Sequence, residues 1–176
     1  EESLRSTENA QVALFTCGLA GYRALVARLG QDKVSALAGH SVGEYAAVVA
    51  SGSLSVEDGA RLVRKRGELM AESGSIRPGT MAAVMGLDAE VLAELLAGVQ
   101  AGTVVIANDN CPGQLVISGD VDAVQAASAA ASEKGAKRVL PLNVSGAFHS
   151  PLMEEPARRM GAALAQAQFS PSTGPR

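Results

Sequence analysis

The stretch Ala36-Leu37-Ala38-Gly39-His40-Ser41-Val42-Gly43-Glu44-Tyr45-Ala46-Ala47 constrains this chain more than any other. A run of small apolar residues at 34–38 meets a Gly-x-Ser-x-Gly turn, which opens at once into an alanine-rich segment of helical spacing. Strand, tight turn and helix in that order predict an α/β fold with Ser41 at the tip of a strand-to-helix elbow. Gly39 and Gly43 lack the Cβ atoms that would meet the strained turn or the closely packed helix, so the Ser41 hydroxyl is presented outward. An oxyanion formed beside it would meet the backbone N–H of Val42 and the positive end of the new helix.

The 176 residues suffice for one sizeable core, or a core with a small insertion. With aromatics at only 3%, that core must be built from Ala, Val and Leu, which suits helices packed closely on a sheet. Residues 7–29 read as a helix: Asn9 is a candidate cap, Val12, Phe15, Leu19, Tyr22 and Leu25 recur at helical spacing, and Gly30 ends it. The elbow helix runs to Ser51-Gly52, and another starts near Ser55 and continues through Leu62, Val63, Arg66 and Met70 until Gly74 and Pro78-Gly79 break the pattern. From 80 to 144 the alternation is compact: strand 81–87, helix 88–99, strands 103–108 and 114–118, helix 121–134, strand 137–144. That βαββαβ order predicts a ferredoxin-like split unit, four strands with both helices on one face. Residues 108–113 read as a turn, 152–167 as an amphipathic helix and 170–176 as a disordered tail.

Several function classes fall away. A net charge of −3 without a basic run interleaved with aromatics argues against nucleic acid. No apolar stretch is expected to reach the roughly 20 residues of a membrane span, and the first residues have no signal-peptide layout, so a cytoplasmic location and no membrane partner are expected. Cys17 and Cys111 stand far apart without further ligands; they read as buried or half-buried thiols, with no metal and no disulfide framework.

A serine hydroxyl needs a base to act as a nucleophile, and the chain has two histidines, His40 and His149. His40 adjoins Ser41 on a tight turn, where neighbouring side chains diverge, so it reads as a packing or turn residue. His149, in a loop between a strand and a helix, is the remaining candidate partner. Arg66 is either a solvated member of the cluster Arg61, Arg64, Lys65, Arg66 or a guanidinium fork for a substrate carboxylate, with Gly67 clearing space beside it. Glu44 reads as a first-turn helix acid.

Gly39-His40-Ser41-Val42-Gly43-Glu44, Arg66-Gly67-Glu68-Leu69-Met70 and Gly146-Ala147-Phe148-His149-Ser150 together resemble the malonyl-CoA:acyl carrier protein transacylases, the acyltransferase domain family of fatty acid and polyketide synthases. Thr7-Glu8-Asn9-Ala10-Gln11 resembles the family's Thr-x-x-x-Gln-Pro segment, with Val12 where proline is usual, and 107–114 adds a further match. The resemblance implies Ser41 as nucleophile, His149 as base, Val42 as oxyanion donor, Arg66 as partner of the malonyl carboxylate, Gln11 in the substrate channel and Phe148 selecting malonyl over methylmalonyl. It implies malonyl-CoA and acyl carrier protein as partners, coenzyme A thioester as substrate, and no cofactor. The family's upstream Gly-x-Gly-x-Gln loop and its segment beyond residue 176 have no counterpart here, so both ends of the family domain are expected to be missing.

The combined expectation is an α/β protein: an incomplete parallel-sheet, α/β-hydrolase-like core over 1–78 and 145–176, with a ferredoxin-like subdomain at 79–144 inserted into it. Two other readings remain. A serine esterase or thioesterase would need an acid between serine and histidine, for which Asp109, Asp120 and Asp122 have the right order. An inactive remnant that docks carrier protein would leave Ser41 unacylated by malonyl-CoA.

Overall fold

The computed structural model describes residues 2–4 and 6–175; Glu1, Arg5 and Arg176 lie outside the described residues. Its elements are α1 (Thr7–Leu29), α2 (Gly43–Ala50), α3 (Val56–Ile76), β1 (Thr80–Met85), α4 (Ala89–Ala97), β2 (Val104–Cys111), β3 (Gln114–Gly119), α5 (Val121–Glu133), β4 (Arg138–Pro141) and α6 (Glu154–Gln166), with 3-10 turns at Glu2–Leu4, Gln31–Lys33 and Pro151–Met153. The class is mixed α/β. The chain divides into two compact units, Glu1–Leu69 with Arg159–Arg176, and Met70–Arg158.

In the first unit, α1 buries Gln11, Phe15 and Leu19, a stripe recurring every four residues. Phe15 and Leu19 join Val49, Leu54, Leu62, Val63, Leu69 and Met160 in one apolar cluster, each such side chain contributing about 1.5–3 kcal/mol when fully buried. Close approach is bought by small residues: a Cβ at Gly59 would lie 2.6 Å from Val49 Cγ2 and 2.8 Å from Phe15 Cζ, and one at Gly67 would lie 2.6 Å from Glu8 Cα. Ser55 Oγ accepts from the Asp58 N–H at 3.0 Å and so caps α3, and Gly30 stops α1 at φ 87° with its N–H on Val26 O.

Several expectations fail here. Residues 34–38 form no regular element and join no ladder, because a strand exists only where a neighbour supplies its hydrogen bonds, and the sheet found among the described residues is built from 80–141. The parallel pairing expected beside the elbow is therefore not among the described strands. Asn9 does not cap α1; Ser6 occupies the N-cap, and Asn9 Nδ2 donates to Ser3 O. Leu25 is 48% exposed, and Cys17 is exposed because it lies two positions from Phe15 and Leu19, on the opposite side of the helix. The 23-residue α1, with a mean hydropathy of 1.4 over its most apolar window, does have the length and composition of a membrane span, contrary to expectation, although core helices of globular proteins pass the same test. Nor is 170–175 loose: the Ser170 N–H donates to Ser53 O at 2.9 Å, and the N–H groups of Thr173 and Gly174 donate to Ser51 O. The carbonyls at the end of α2 need donors, and the tail supplies them.

In the second unit, β1-α4-β2-β3-α5-β4 forms one four-stranded sheet in the order β2-β3-β1-β4, every pair antiparallel. Alternation along β1 sorts side chains between faces. Ala82 and Val84 pack with Leu92 and Leu96 of α4 and Val124, Ala127 and Ala131 of α5, so both helices cover the same face. Met81, by contrast, packs with Met70, Val116 and Phe148. The turn expected at 108–113 is tighter than its composition suggests. β2 continues to Cys111 through two register shifts, leaving Pro112-Gly113 to reverse the chain with Gly113 at φ 75°, and Cys111 is exposed rather than buried. Boundaries elsewhere shift by a few residues; β4 stops at Pro141, which cannot donate to a ladder.

Candidate active site

Ser41 sits on the turn before α2 at φ 52°. Among the described residues, the non-glycine positions with positive φ are Ser41 and His149, at φ 57°. A left-handed backbone costs a non-glycine residue about 1–3 kcal/mol and persists only where the surroundings enforce it. At Ser41 the enforcement is visible: a Cβ on Gly39 would run into the backbone of Gly43 and Glu44, so only glycine lets the incoming chain pass under the helix start. Gly43 has no such role, since nothing lies within 4 Å of its hypothetical Cβ. The first turn is closed by the N–H groups of Gly43, Glu44 and Tyr45 donating to the carbonyls of His40, Ser41 and Val42 at 2.9, 3.2 and 3.2 Å. The Val42 N–H heads this turn, at a position that a helix's own carbonyls do not serve.

Arg66, on α3, reaches the serine. Its Nη2 donates to Ser41 Oγ at 2.9 Å and its Nη1 to Gln11 Oε1, while Gln11 Nε2 donates to Thr7 Oγ1 at 2.9 Å. Gln11 is 5% exposed. The arrangement follows from Gly67, which lets α3 run against the backbone of Glu8 and brings the preceding residue, Arg66, alongside the first turns of α1. Burial lowers the Arg66 pKa from its usual value, with Tyr45 and Glu44 opposing the shift electrostatically. Burial likewise raises that of Tyr45, against the pull of Arg66. Arg66 is thus no member of a solvated cluster: Arg61 pairs with Asp58 and Arg64 with Glu68 on the exposed side of α3, while Arg66 turns inward.

His149 and Phe148 belong to the second unit. Phe148 is buried beside Met70, Met81 and Val116, and His149 is exposed on the following turn. The loop is held close: Ser150 Oγ donates to Ala147 O at 2.6 Å and accepts from the Leu152 N–H at 3.3 Å. Gly74 and Gly79 make room for it, since a Cβ on the former would strike the Ser145 carbonyl and one on the latter would lie 2.6 Å from Ala147 Cβ. Of the acids considered for a triad, Asp120 is already engaged, accepting from the Thr103 N–H at 2.8 Å and from Arg77 at 3.1 Å. Asp109 is exposed on β2 and Asp122 on the first turn of α5.

The structure therefore brings Ser41, Arg66 and Gln11 together. Two neighbours were given no role in the sequence reading: Thr7, quoted there only as part of a matching segment, and Tyr45. Thr7 carried a readable signal, lying four residues before Gln11 and hence on the same helix face; Tyr45 carried none, because its electrostatic coupling to Arg66 arises only in the folded chain.

Known proteins share this arrangement of the chain. The profile described as acyl transferase domain matches residues 1–175. A Bacillus subtilis (strain 168) protein named malonyl CoA-acyl carrier protein transacylase is 45% identical over 163 residues, covering 90% of this chain and 50% of that protein. The solved structure of malonyl CoA-acyl carrier protein transacylase from Coxiella burnetii superposes with a TM-score of 0.93 at 36% identity, over 99% of this chain and 55% of the other. A structure of a type II PKS acyl-carrier protein in complex with its malonyl-transacylase matches with a TM-score of 0.89 at 38% identity, over 96% of this chain and 55% of that one. The chain spans about half the length of the curated relatives it matches. On the match over residues 1–175, this chain belongs to the acyl transferase domain family.

Proposed function

We propose that the chain carries the acyl-transfer site of a malonyl-CoA:acyl carrier protein transacylase of fatty acid or polyketide synthesis. The observation that carries this reading is the Arg66 guanidinium 2.9 Å from the hydroxyl of a serine held at φ 52°. A cation at that distance would hold the free carboxylate of a malonyl group while its thioester carbon lies against Ser41.

Ser41 Oγ attacks the thioester carbonyl of malonyl-CoA as His149 takes the hydroxyl proton, and the oxyanion accepts from the Val42 N–H. The C–S bond then breaks; the coenzyme A thiol leaves with the proton returned by His149, and a malonyl ester remains on Ser41. The phosphopantetheine thiol of acyl carrier protein attacks that ester by the same route, His149 taking the thiol proton and giving it back to Ser41 Oγ. No cofactor enters these steps, and coenzyme A is a substrate. Gln11 lines the channel, and Phe148, wedged among Met70, Met81 and Val116, denies space to an α-methyl group. An acetyl group would leave the guanidinium without its carboxylate and be rejected.

In this reading 1–78 and 145–176 form the catalytic, α/β-hydrolase-like core, 79–144 is the inserted ferredoxin-like subdomain, and the protein works in the cytoplasm. The carrier-protein complex among the structural relatives supports the assignment of that partner. The test is to incubate the folded chain with malonyl-CoA and seek malonyl on Ser41 by mass spectrometry, with Ser41→Ala as control. An adduct on the parent and none on the variant is expected; a folded parent chain that acquires no adduct would overturn the proposal.

A further inference from the structure

We propose that Thr7 is a positioning residue for the acyl-selecting guanidinium, acting through the side-chain amide of Gln11; the inference rests on the transacylase reading above.

A guanidinium carries five N–H donors and no acceptor, so the end of the Gln11 amide that meets Arg66 Nη1 has to be the oxygen. The Nε2 group is thereby turned the other way, in a side chain only 5% exposed, where water does not offer a ready acceptor. What it meets is Thr7 Oγ1, at 2.9 Å, one helical turn back on α1. Arg66 itself dictates which end of the amide faces it, and the Thr7 hydroxyl, accepting from Nε2, anchors the other end and so fixes where the oxygen sits. Without that hydroxyl the amide loses one of its anchors, and its oxygen is held less firmly against Nη1.

Thr7 is not spent on helix capping. Ser6 holds the N-cap, and its carbonyl accepts the first backbone bonds, from the N–H groups of Asn9 and Ala10. The consequence reaches the nucleophile because Arg66 is gripped at two nitrogens, Nη1 by Gln11 and Nη2 by Ser41. A planar fork fixed at one prong has its other prong aimed; released at Nη1, it swings, and a carboxylate arriving beside Ser41 finds the cation less often in register.

The experiment compares Thr7→Val, which keeps the shape and removes the hydroxyl, with Thr7→Ser, which restores it. Acylation of Ser41 by malonyl-CoA and by acetyl-CoA is followed by intact-mass spectrometry as a function of donor concentration. Thr7→Val is expected to raise the malonyl-CoA concentration for half-maximal rate by roughly fivefold to tenfold, the size of one lost hydrogen bond to a buried group. The acetyl-CoA rate stays as it was, and Thr7→Ser returns the malonyl value to within about twofold of the parent. Equal changes for both donors, or a serine variant no better than valine, would overturn the proposal. A second readout does not depend on catalysis: the Gln11 side-chain amide protons, followed by NMR, exchange slowly in the parent and Thr7→Ser and fast in Thr7→Val. Slow exchange retained in Thr7→Val refutes the inference. A parent chain that never acylates refutes the transacylase reading instead, with the amide exchange still deciding the role of Thr7.

Discussion

Replacing Arg66 with alanine separates the carboxylate-binding role proposed for it from its hold on Gln11 and Ser41, and the structure sets the size of each. The guanidinium holds Gln11 and Ser41 through different nitrogens, so a carboxylate that displaces Ser41 Oγ gains one charge-assisted hydrogen bond, and one that also takes Nη1 gains two. Hydrogen bonds to charged groups contribute about 1.5–3 kcal/mol each, or roughly 3–6 for a bidentate pair. Because Arg66 is half-buried and partly screened, the lower half of that range applies, about 3–4 kcal/mol, which at 1.4 kcal/mol per decade is a loss of roughly 10²–10³ in kcat/KM for malonyl-CoA. Acetyl-CoA has no carboxylate to lose, so its rate should hold or rise, and the preference for malonyl should collapse. Stability pays separately. The buried Gln11 oxygen loses its donor at a cost of about 1–3 kcal/mol, visible as a lower urea midpoint. Time courses of Ser41 acylation with each donor, read by intact-mass spectrometry under conditions where the variant is folded, measure the ratio. Parallel losses for both donors, or an unchanged ratio, would mean that Arg66 supports the fold or the serine rather than reading the acyl group.

His149→Ala should slow acylation of Ser41 by about 10²–10⁴-fold, the usual share of a general base, while leaving the thermal midpoint within a few degrees; acylation at the parent rate would identify another base. Gly67→Ala should destabilise the fold by about 1–3 kcal/mol in urea titration, because the new methyl meets the Glu8 backbone at 2.6 Å and neither helix can yield without repacking; a variant as stable as the parent contradicts the close approach. The Thr103 N–H, and after it Arg77, hold the Asp120 pKa below the usual aspartate value. Its contribution to stability is therefore complete above the unfolded-state value of about 3.9 and disappears as pH falls through the lower folded value. Asp120→Asn should lower stability at neutral pH and lessen its acid dependence below about pH 4, as read by denaturation at a series of pH values; an unchanged slope there would remove Asp120 from the acid response.

What could be read from the residues alone was whatever short-range physics encodes. The order β1-α4-β2-β3-α5-β4 follows from alternation and turn chemistry within a few residues, and α1 from a helical stripe ending at Gly30. The bend at Ser41 was legible for the same reason, since Gly39 and the helix start that it must clear are neighbours in the chain. The rest depended on partners from elsewhere. An apolar run such as 34–38 becomes a strand only if another strand lies alongside, and the tail is ordered because carbonyls near Ser51, more than a hundred positions earlier, take its N–H groups. Likewise Arg64 and Arg66 look alike in the sequence. Folding decides that one faces Glu68 at the surface and the other faces Ser41, because helix phase turns Arg66 inward and Gly67 lets α3 close on α1. Residue type and local spacing set which groups were available; only tertiary packing, which joins positions 7, 11, 41 and 66, decided which of them act on one another.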